Sequence, residues 1–368
     1  MSRYRFELAS LEDDAGLRRR MAEDWLNSRL SVSFRREPSY FTGCEVQGEG
    51  AQVIKCTDME TGEIIGMGCR ARRTVFINGV PQCAGYLSDL RSHPSVRNRT
   101  LLARGYSFLR RLHEGAPLPL YYTVILDGNA QALQSLVGGR AGLPQYRDFG
   151  RMLTPAIHLD IPRPPVKVPG VRFERGSSAR LPAIVEFIQR RYADKQFAPM
   201  YRESDFGTAG LRGFDPADFY VAVKDARIVG TIGAWDQRAF RQTHIEAYTG
   251  WFGRMRWLYN LVARMSPLKP LPDPGSRVPY FYAAFIAIEG NDPQIFRGLL
   301  REVYRDRRSG EWHYFIAGLH ERDPLAQVLR EYRSVPAAGR MLVVHFEDGE
   351  KAFNGLDGRI PYLEMATV

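Results

Sequence analysis

The chain has 368 residues, a mass of 41.9 kDa and a formal net charge of +10. At about 100–200 residues per domain, this length predicts two or three domains. Apolar residues make up 44% and charged residues 25%, a balance that excludes a disordered or collagen-like chain. The longest apolar run, residues 280–288, is too short to cross a bilayer. The first residues show no apolar signal segment, so we expect a cytoplasmic protein.

The four cysteines are Cys44, Cys56, Cys69 and Cys83. None forms a C-x-x-C pair and the histidines are scattered, so we predict reduced thiols and no metal site. The positive charge could attract nucleic acid, an anionic membrane or a phosphate-rich cofactor. Without zinc-finger spacing, an RRM-type aromatic signature or a long basic block, the sequence does not favour nucleic acid.

A proline-rich segment divides the chain. Four prolines between positions 162 and 169 exclude a helix and favour an extended linker. We therefore predict a first domain of residues 1–160, a linker of residues 161–170 and a second domain of residues 171–368.

The two halves share one order of elements. Each shows a helix, two strands joined by a turn, a buried strand, a helix, a strand, a short helix and a closing strand. In the first half these are residues 11–30, 51–57, 63–76, 84–90, 97–114, 121–126, 129–137 and 151–157. In the second they are residues 181–197, 219–223, 227–235, 280–288, 293–308, 313–319, 324–332 and 341–346. Hairpins predict antiparallel pairs and strand–helix–strand units predict parallel pairs, so each half is predicted to be a mixed α/β sheet flanked by helices.

The second half carries an insert, residues 251–279. Its first part, residues 251–265, is predicted to be a helix with an apolar stripe formed by Trp251, Met255, Leu258, Leu261 and Val262. Its arginines lie mainly away from that stripe. Such a stripe is expected to cover its own domain, the cleft of the first half or a membrane surface. We favour a wall or lid of a substrate pocket over a membrane anchor.

The segment after the buried strand of the first half indicates anion binding. The strand ends at Arg91 and Ser92, Pro94 breaks it, and a basic turn containing Arg97 and Arg99 leads into a helix. Free N–H groups at a helix start and two arginines favour an anion, most naturally a phosphate. The alternative is a plain turn with solvated arginines.

The run Leu90-Arg-Ser-His-Pro-x-x-Arg-Asn-Arg-Thr resembles the fourth strand and pyrophosphate loop of the GNAT (GCN5-related N-acetyltransferase) superfamily. The run from Asp127 through Asn129 to Ala132 is similar to the Asn-x-x-Ala helix of that family. The resemblance implies two tandem GNAT-like domains and acetyl-CoA or another acyl-CoA as co-substrate. The implied cofactor-binding residues are Leu90, Arg91, Ser92, Arg97, Asn98, Arg99, Thr100 and Asn129.

The loop departs from the family pattern. Asn98 and Thr100 replace glycines, and Leu102 replaces a small residue. Glycine lets the backbone approach a phosphate without a Cβ, so these changes alter how closely the loop can follow the pyrophosphate. In the second half, residues 288–293 leave no room for the loop and carry no arginine. We expect no coenzyme site there.

Acyl transfer to an amine needs a base and donors for the oxyanion. Asp89 is the first candidate base and His93 the second, and backbone N–H groups of residues 90–92 are the candidate oxyanion donors. Strand alternation predicts that Ser88 and Asp89 lie on opposite faces. The tyrosine acid usual in the family is missing, since Ser135 occupies its region, which leaves Tyr146 or a water.

The sequence therefore favours an acyl-CoA-dependent acyltransferase acting on an amine of a small molecule or peptide. One alternative is a catalytically decayed scaffold of the same fold. Another is a peripheral membrane enzyme with a long-chain acyl donor, suggested by residues 251–265.

Overall fold

The computed structural model describes residues 3–25, 30–94, 99–137 and 142–368. The strands of the first half are β1 (Tyr4–Leu8), β2 (Leu30–Arg35), β3 (Glu49–Asp58), β4 (Ile64–Ile77), β5 (Val80–Ser92), β6 (Tyr121–Leu126), β7 (Gln145–Leu153) and β8 (Ala156–His158). Its helices are α1 (Asp14–Glu23), α2 (Tyr40–Glu45), α3 (Arg99–Gly115) and α4 (Ala130–Val137).

The second half adds strands β9 (Val171–Arg175), β10 (Lys195–Gln196), β11 (Phe219–Lys224), β12 (Arg227–Trp235), β13 (Gln242–Tyr248), β14 (Tyr280–Ile288), β15 (Tyr314–Ala317), β16 (Leu319–His320), β17 (Ser334–Val335), β18 (Ala338–His345) and β19 (Ile360–Pro361). Its helices are α5 (Leu181–Tyr192), α6 (Gly250–Arg264), α7 (Pro293–Arg308), α8 (Ala326–Leu329) and α9 (Glu350–Asn354).

Two large mixed sheets organise these elements. Sheet one has the order β1-β3-β4-β5-β6-β18-β7-β16, and sheet two has the order β17-β8-β15-β14-β12-β11-β9. The hairpin pairs are antiparallel, whereas β5–β6 and β14–β15, joined across α3 and α7, are parallel. Helices α5 and α7 pack in the core of sheet two, and α3 packs on sheet one. The mixed α/β fold predicted from the sequence is therefore confirmed.

In the second half, the local sequence explains why β14 and α7 form where they were predicted. The unbroken apolar run of β14 suits a strand that is covered on both faces. Helix α7 begins at Pro293, which needs no N–H partner there, and the Asp292 side chain accepts a hydrogen bond from the N–H of Gln294.

The first predicted helix is shorter than expected. We predicted a helix over residues 11–30, but α1 ends at Glu23 and Leu30 already begins β2. The alternating sequence of β2 suits a strand, and β2 pairs antiparallel with β13 of the second half. This ribbon, which the sequence did not predict, ties the two halves together.

The closing strands are exchanged between the sheets, contrary to the sequence prediction. Strand β18, from the end of the chain, lies between β6 and β7 in sheet one. Strand β8, from the first half, lies between β15 and β17 in sheet two. An apolar strand predicts burial but not its partner, because its neighbours come from distant parts of the chain. Both sheets therefore contain residues from either side of the predicted linker.

A bulge interrupts β5 at Asp89, whose backbone is left-handed with φ of 52°. The register between β4 and β5 shifts there, and β5 pairs with β6 only through Gly85–Tyr121 and Tyr86–Tyr122. The two parallel strands then separate. The predicted alternation fails at this point, because Ser88 and Asp89 both contact the α2 region rather than opposite faces.

The insert begins with a helix, as predicted. Helix α6 covers residues 250–264, but most of its apolar stripe faces outward rather than packing against the protein. Within the described part of the chain, no helix is both long and apolar enough to span a membrane.

Candidate active site

A large cavity opens where β5 and β6 separate. Its volume is about 2370 Å³ and its walls come from both sheets, the β2–β13 ribbon and α6. Ligand pockets are usually about 300–1,000 Å³. The cavity can therefore hold a long substrate, or two substrates together.

One end of the cavity is apolar and belongs to the first half. Among the side chains that form it are Ile54, Leu101, Leu109, Ile125 and Leu136, from β3, α3, β6 and α4. All but Leu101 belong to the hydrophobic core between sheet one and α3 and α4. The cavity thus extends into that core, where an alkyl chain would gain apolar contacts.

The polar centre of the cavity surrounds Asp89. Its carboxylate accepts a 3.0 Å hydrogen bond from the Tyr40 hydroxyl and lies 3.6 Å from the guanidinium of Arg36. Burial acts to raise the pKa of Asp89, but the positive charges of Arg36, Arg91 and Arg241 outweigh it. The pKa of Asp89 therefore lies below its usual value, and the carboxylate is ionised at neutral pH.

Arg241 brings the second half to this centre. It lines the cavity and donates 2.6 Å hydrogen bonds to the carbonyl oxygens of Ala366 and Val368. Burial lowers the pKa of Arg241, and the nearby charge of Arg36 lowers it further. The sequence did not identify Arg36 or Arg241 as site residues, because neither lies in a motif and only the fold brings them close to Asp89.

The other two candidate catalytic residues, His93 and Tyr146, lie in surroundings that differ from those of Asp89. His93 follows β5, its N–H donates to the Ile65 carbonyl at 2.7 Å, and it is not among the described residues that line the cavity. Tyr146, on β7, lines the apolar end, and its hydroxyl lies 2.5 Å from that of Tyr106. Burial raises the pKa of Tyr146 well above its usual value, so this phenol stays protonated.

The cofactor residues implied by the resemblance fall into two groups. Leu90, Arg91 and Ser92 on β5 line the cavity, as does Asn129, whose side chain accepts a 3.2 Å hydrogen bond from Ala132 N–H at the start of α4. Arg91 is held by the Asp24 carboxylate at 3.1 Å. Helix α3 begins at residue 99 and includes residue 100. Residues 97 and 98 lie outside the described part of the chain.

The second sheet repeats the bulge but fills the space beside it. Phe285 on β14 has φ of 52°, and its N–H donates a 2.7 Å hydrogen bond to the Glu364 carboxylate. The N–H of Ile286 donates to the Tyr362 hydroxyl at 3.2 Å, and that hydroxyl donates to Glu364 at 3.0 Å. The segment after β19 therefore occupies the opening between β14 and β15. Its sequence gives no periodic signal of this contact.

Side chains also fill the space beside the loop that follows β14. Lys195 donates hydrogen bonds to the Asn291 amide oxygen at 2.9 Å and to the Asp323 carboxylate at 2.7 Å. The space beside this loop measures about 40 Å³, far below the size of a coenzyme.

Glu364 makes stability depend on pH. Burial raises its pKa from 4.5 to about 7, so between these values the folded protein keeps a proton that the unfolded chain releases. This stabilisation is complete below pH 4.5 and is lost as the pH rises through 7, a change of about 3 kcal/mol. We expect Glu364→Gln to flatten the decline in the free energy of unfolding, measured by urea titration at several pH values. The exposed Glu350→Gln is the control, and equal pH dependence of all three proteins would contradict the assignment.

Comparison with known proteins identifies the fold. No protein-family model matches the chain, and no curated protein matches it. A GCN5-related N-acetyltransferase from Sphaerobacter thermophilus is similar in structure, with 13% identity, coverage of 100% of this chain and 99% of that chain, and a TM-score of 0.58. N-myristoyltransferase from Saccharomyces cerevisiae with bound myristoyl-CoA has 10% identity, coverage of 94% and 83%, and a TM-score of 0.61.

A protein of unknown function from Enterococcus faecalis, described as a probable N-acyltransferase, has 9% identity, coverage of 93% and 72%, and a TM-score of 0.50. These likenesses extend over 93% to 100% of this chain, so they are not confined to one half of it. The chain has the GNAT-type acyltransferase fold in two tandem copies, as its sequence resemblance implied.

Proposed function

We propose that this protein is an acyl-CoA-dependent N-acyltransferase that acts on an amine of a small molecule or peptide. The observation that carries the proposal is the open separation of β5 and β6 beside a large cavity. The equivalent opening in sheet two is filled by Glu364 and Tyr362. A scaffold that had lost its substrates would have no need to keep one of two equivalent openings free.

The acyl-CoA binds to the first half in this proposal. Its thioester lies beside Leu90, Arg91 and Ser92, and its pyrophosphate lies at the start of α3, near Arg97–Thr100. Asn129 faces the pantetheine. The helix start offers backbone N–H groups and a favourable dipole to an anion, and the fold is that of proteins solved with bound myristoyl-CoA.

The apolar end of the cavity favours an acyl group longer than acetyl. An acetyl group would leave the side chains of α3 and α4 that line this end without a partner. Each additional buried methylene group contributes about 0.8 kcal/mol, so this wall rewards a longer chain. The similar structure with myristoyl-CoA supports the same choice.

In the transfer step, the amine nitrogen attacks the thioester carbonyl carbon, and the carbonyl electrons move to oxygen. Backbone N–H groups of residues 90–92 stabilise that oxyanion. The amine proton passes to Asp89, directly or through water, and the C–S bond then breaks as the carbonyl reforms. The thiolate takes a proton from Tyr146 or water. His93 is the second candidate base.

The depressed pKa of Asp89 shapes its part in this step. A carboxylate held ionised by three arginines is a weak base, but it attracts an ammonium group and aligns it for deprotonation. The second half contributes Arg241 and the far wall of the cavity, which is where the acceptor would bind.

Calorimetric titration with acyl-CoA tests the function. We expect one binding site per chain, because sheet two has no free opening. Arg97→Ala should weaken binding by about 1–3 kcal/mol, the contribution of a hydrogen bond to a charged group. The exposed Arg172→Ala should leave the affinity unchanged. Two equivalent sites, or no binding by the wild type, would contradict the proposal.

Replacing the carboxylate tests the role of Asp89. Asp89→Asn should lower kcat by at least about 100-fold, the lower range for loss of a general base. Asp127→Asn, at the rim of the same cavity and paired with Arg151, is the control. If kcat stays within a few-fold of the wild type while the melting temperature is unchanged, Asp89 has no part in proton transfer.

Filling the apolar end tests the acyl length. Ala132 on α4 lines the cavity, whereas Val137 on the same helix is exposed and does not. Ala132→Phe should leave acetyl-CoA affinity unchanged. It should weaken myristoyl-CoA binding at least about tenfold, since two or three methylene groups lose their contacts. Val137→Phe should change neither affinity. Equal weakening of both thioesters by Ala132→Phe would place the acyl chain elsewhere.

A further inference from the structure

Helix α6 presents an apolar surface to solvent. Exposure is 73% for Trp251, 68% for Trp257, 47% for Leu261, 49% for Val262 and 85% for Met265. Large apolar side chains occur singly on most protein surfaces, but a continuous stripe along one helix marks an interaction site. This set of five residues is named the α6 stripe.

The opposite side of α6 already holds the helix in place. The Asn260 side chain accepts a 2.8 Å hydrogen bond from Leu271 N–H and donates a 3.2 Å hydrogen bond to the Leu271 carbonyl. Ala263 is buried, and Tyr259 lines the cavity. The helix is therefore anchored without the α6 stripe, which remains available for a partner outside the chain.

The charge on α6 is entirely positive. The helix contains Arg254, Arg256 and Arg264 and no acidic residue. Arg256 is paired with Asp273, whereas Arg254 and Arg264 are exposed beside the apolar side chains rather than away from them, as the sequence had predicted for most of these arginines. A helix with exposed tryptophans, arginines and no acidic residue has the composition of helices that lie in the interface of an anionic bilayer.

The charge argues against a second copy as the partner. A two-fold dimer through the α6 stripe would bring the exposed arginines of both copies into one interface, with no acidic residue on the helix to balance them. Anionic lipid headgroups supply that balance, and the tryptophan side chains suit the boundary between headgroups and acyl chains.

The position of α6 connects this surface to the cavity. Thr249, Gly250 and Trp251 at its start line the cavity, and the helix follows directly after β13 of the ribbon between the halves. A lipid surface that covers the α6 stripe would therefore lie at the mouth of the cavity.

We propose that the α6 stripe docks this protein on the surface of an anionic lipid bilayer, with the helix lying in the plane of the interface. This docking needs neither acyl-CoA nor catalysis, so it stands apart from the proposed enzymatic activity. It also gives an amphiphilic substrate a short path from the bilayer into the cavity.

Vesicle binding by the full chain, without coenzyme, tests the proposal. We expect co-sedimentation with phosphatidylcholine vesicles that contain phosphatidylglycerol, weaker binding to phosphatidylcholine alone, and weakening by salt. The double variant Trp257→Ser and Leu261→Ser should reduce the partition coefficient at least about tenfold. The double variant Arg254→Glu and Arg264→Glu should likewise reduce the partition coefficient at least about tenfold, for anionic vesicles.

The control variants are Leu11→Ser and Val80→Ser, which remove exposed apolar side chains far from α6 in the sequence. Both should bind vesicles as strongly as the wild type does. A measurement on the wild type guards against variants that fail to fold. Its tryptophan emission should shift to the blue on vesicles and be quenched by brominated lipid, and Trp251→Phe with Trp257→Phe should remove both signals while sedimentation persists.

Three results would overturn the proposal. One is wild-type protein that stays in the supernatant with anionic vesicles. Another is binding that the α6 variants leave unchanged. The third is a wild-type dimer in lipid-free buffer that the Trp257→Ser and Leu261→Ser variant dissociates, which would assign the surface to a second copy of the chain.

Discussion

The separation of β5 from β6 is the feature on which the rest of the site depends. Two parallel strands pair through only two residue pairs, and the left-handed backbone at Asp89 then turns β5 away. Such a conformation costs about 1–3 kcal/mol for a residue other than glycine. The Tyr40 hydroxyl and the Arg36 guanidinium hold the Asp89 side chain and offset that cost. Because the strands diverge, a cavity opens between them. Backbone groups and side chains that a neighbouring strand would otherwise cover line this cavity.

The same backbone irregularity has opposite consequences in the two sheets. In sheet two, Phe285 has the same φ as Asp89, but Glu364 accepts its N–H, and Tyr362 accepts the next one. The opening there is packed as core, and Lys195 closes the neighbouring loop. Two copies of one fold thus provide one open site, and the difference comes from which side chains reach each bulge rather than from the sheets themselves.

The exchanged strands make the two halves one structural unit. Strand β18 completes sheet one, and the segment after it fills the opening of sheet two. At the end of that segment, Val368 accepts a hydrogen bond from Arg241, one of the arginines whose charges act on Asp89. The cavity consequently has walls from both halves: an apolar end from α3 and α4, a charged centre, and a rim formed by α6. Each region contributes a different property, namely space for an alkyl chain, fixed charge, and an exposed apolar surface.

The sequence by itself determined the α/β class, the duplicated order of elements and most strand and helix positions, because hydrophobic periodicity and proline are local signals. The motif around Leu90 and Asn129 likewise indicated the fold, and both residues line the cavity. Only the tertiary structure decided the exchange of β8 and β18, the ribbon of β2 with β13, and the contacts of Arg36, Arg241 and Glu364. It also decided that the α6 stripe faces solvent. The contacts among these features join residues at least 53 positions apart, so their energies depend on packing that no local pattern in the sequence records.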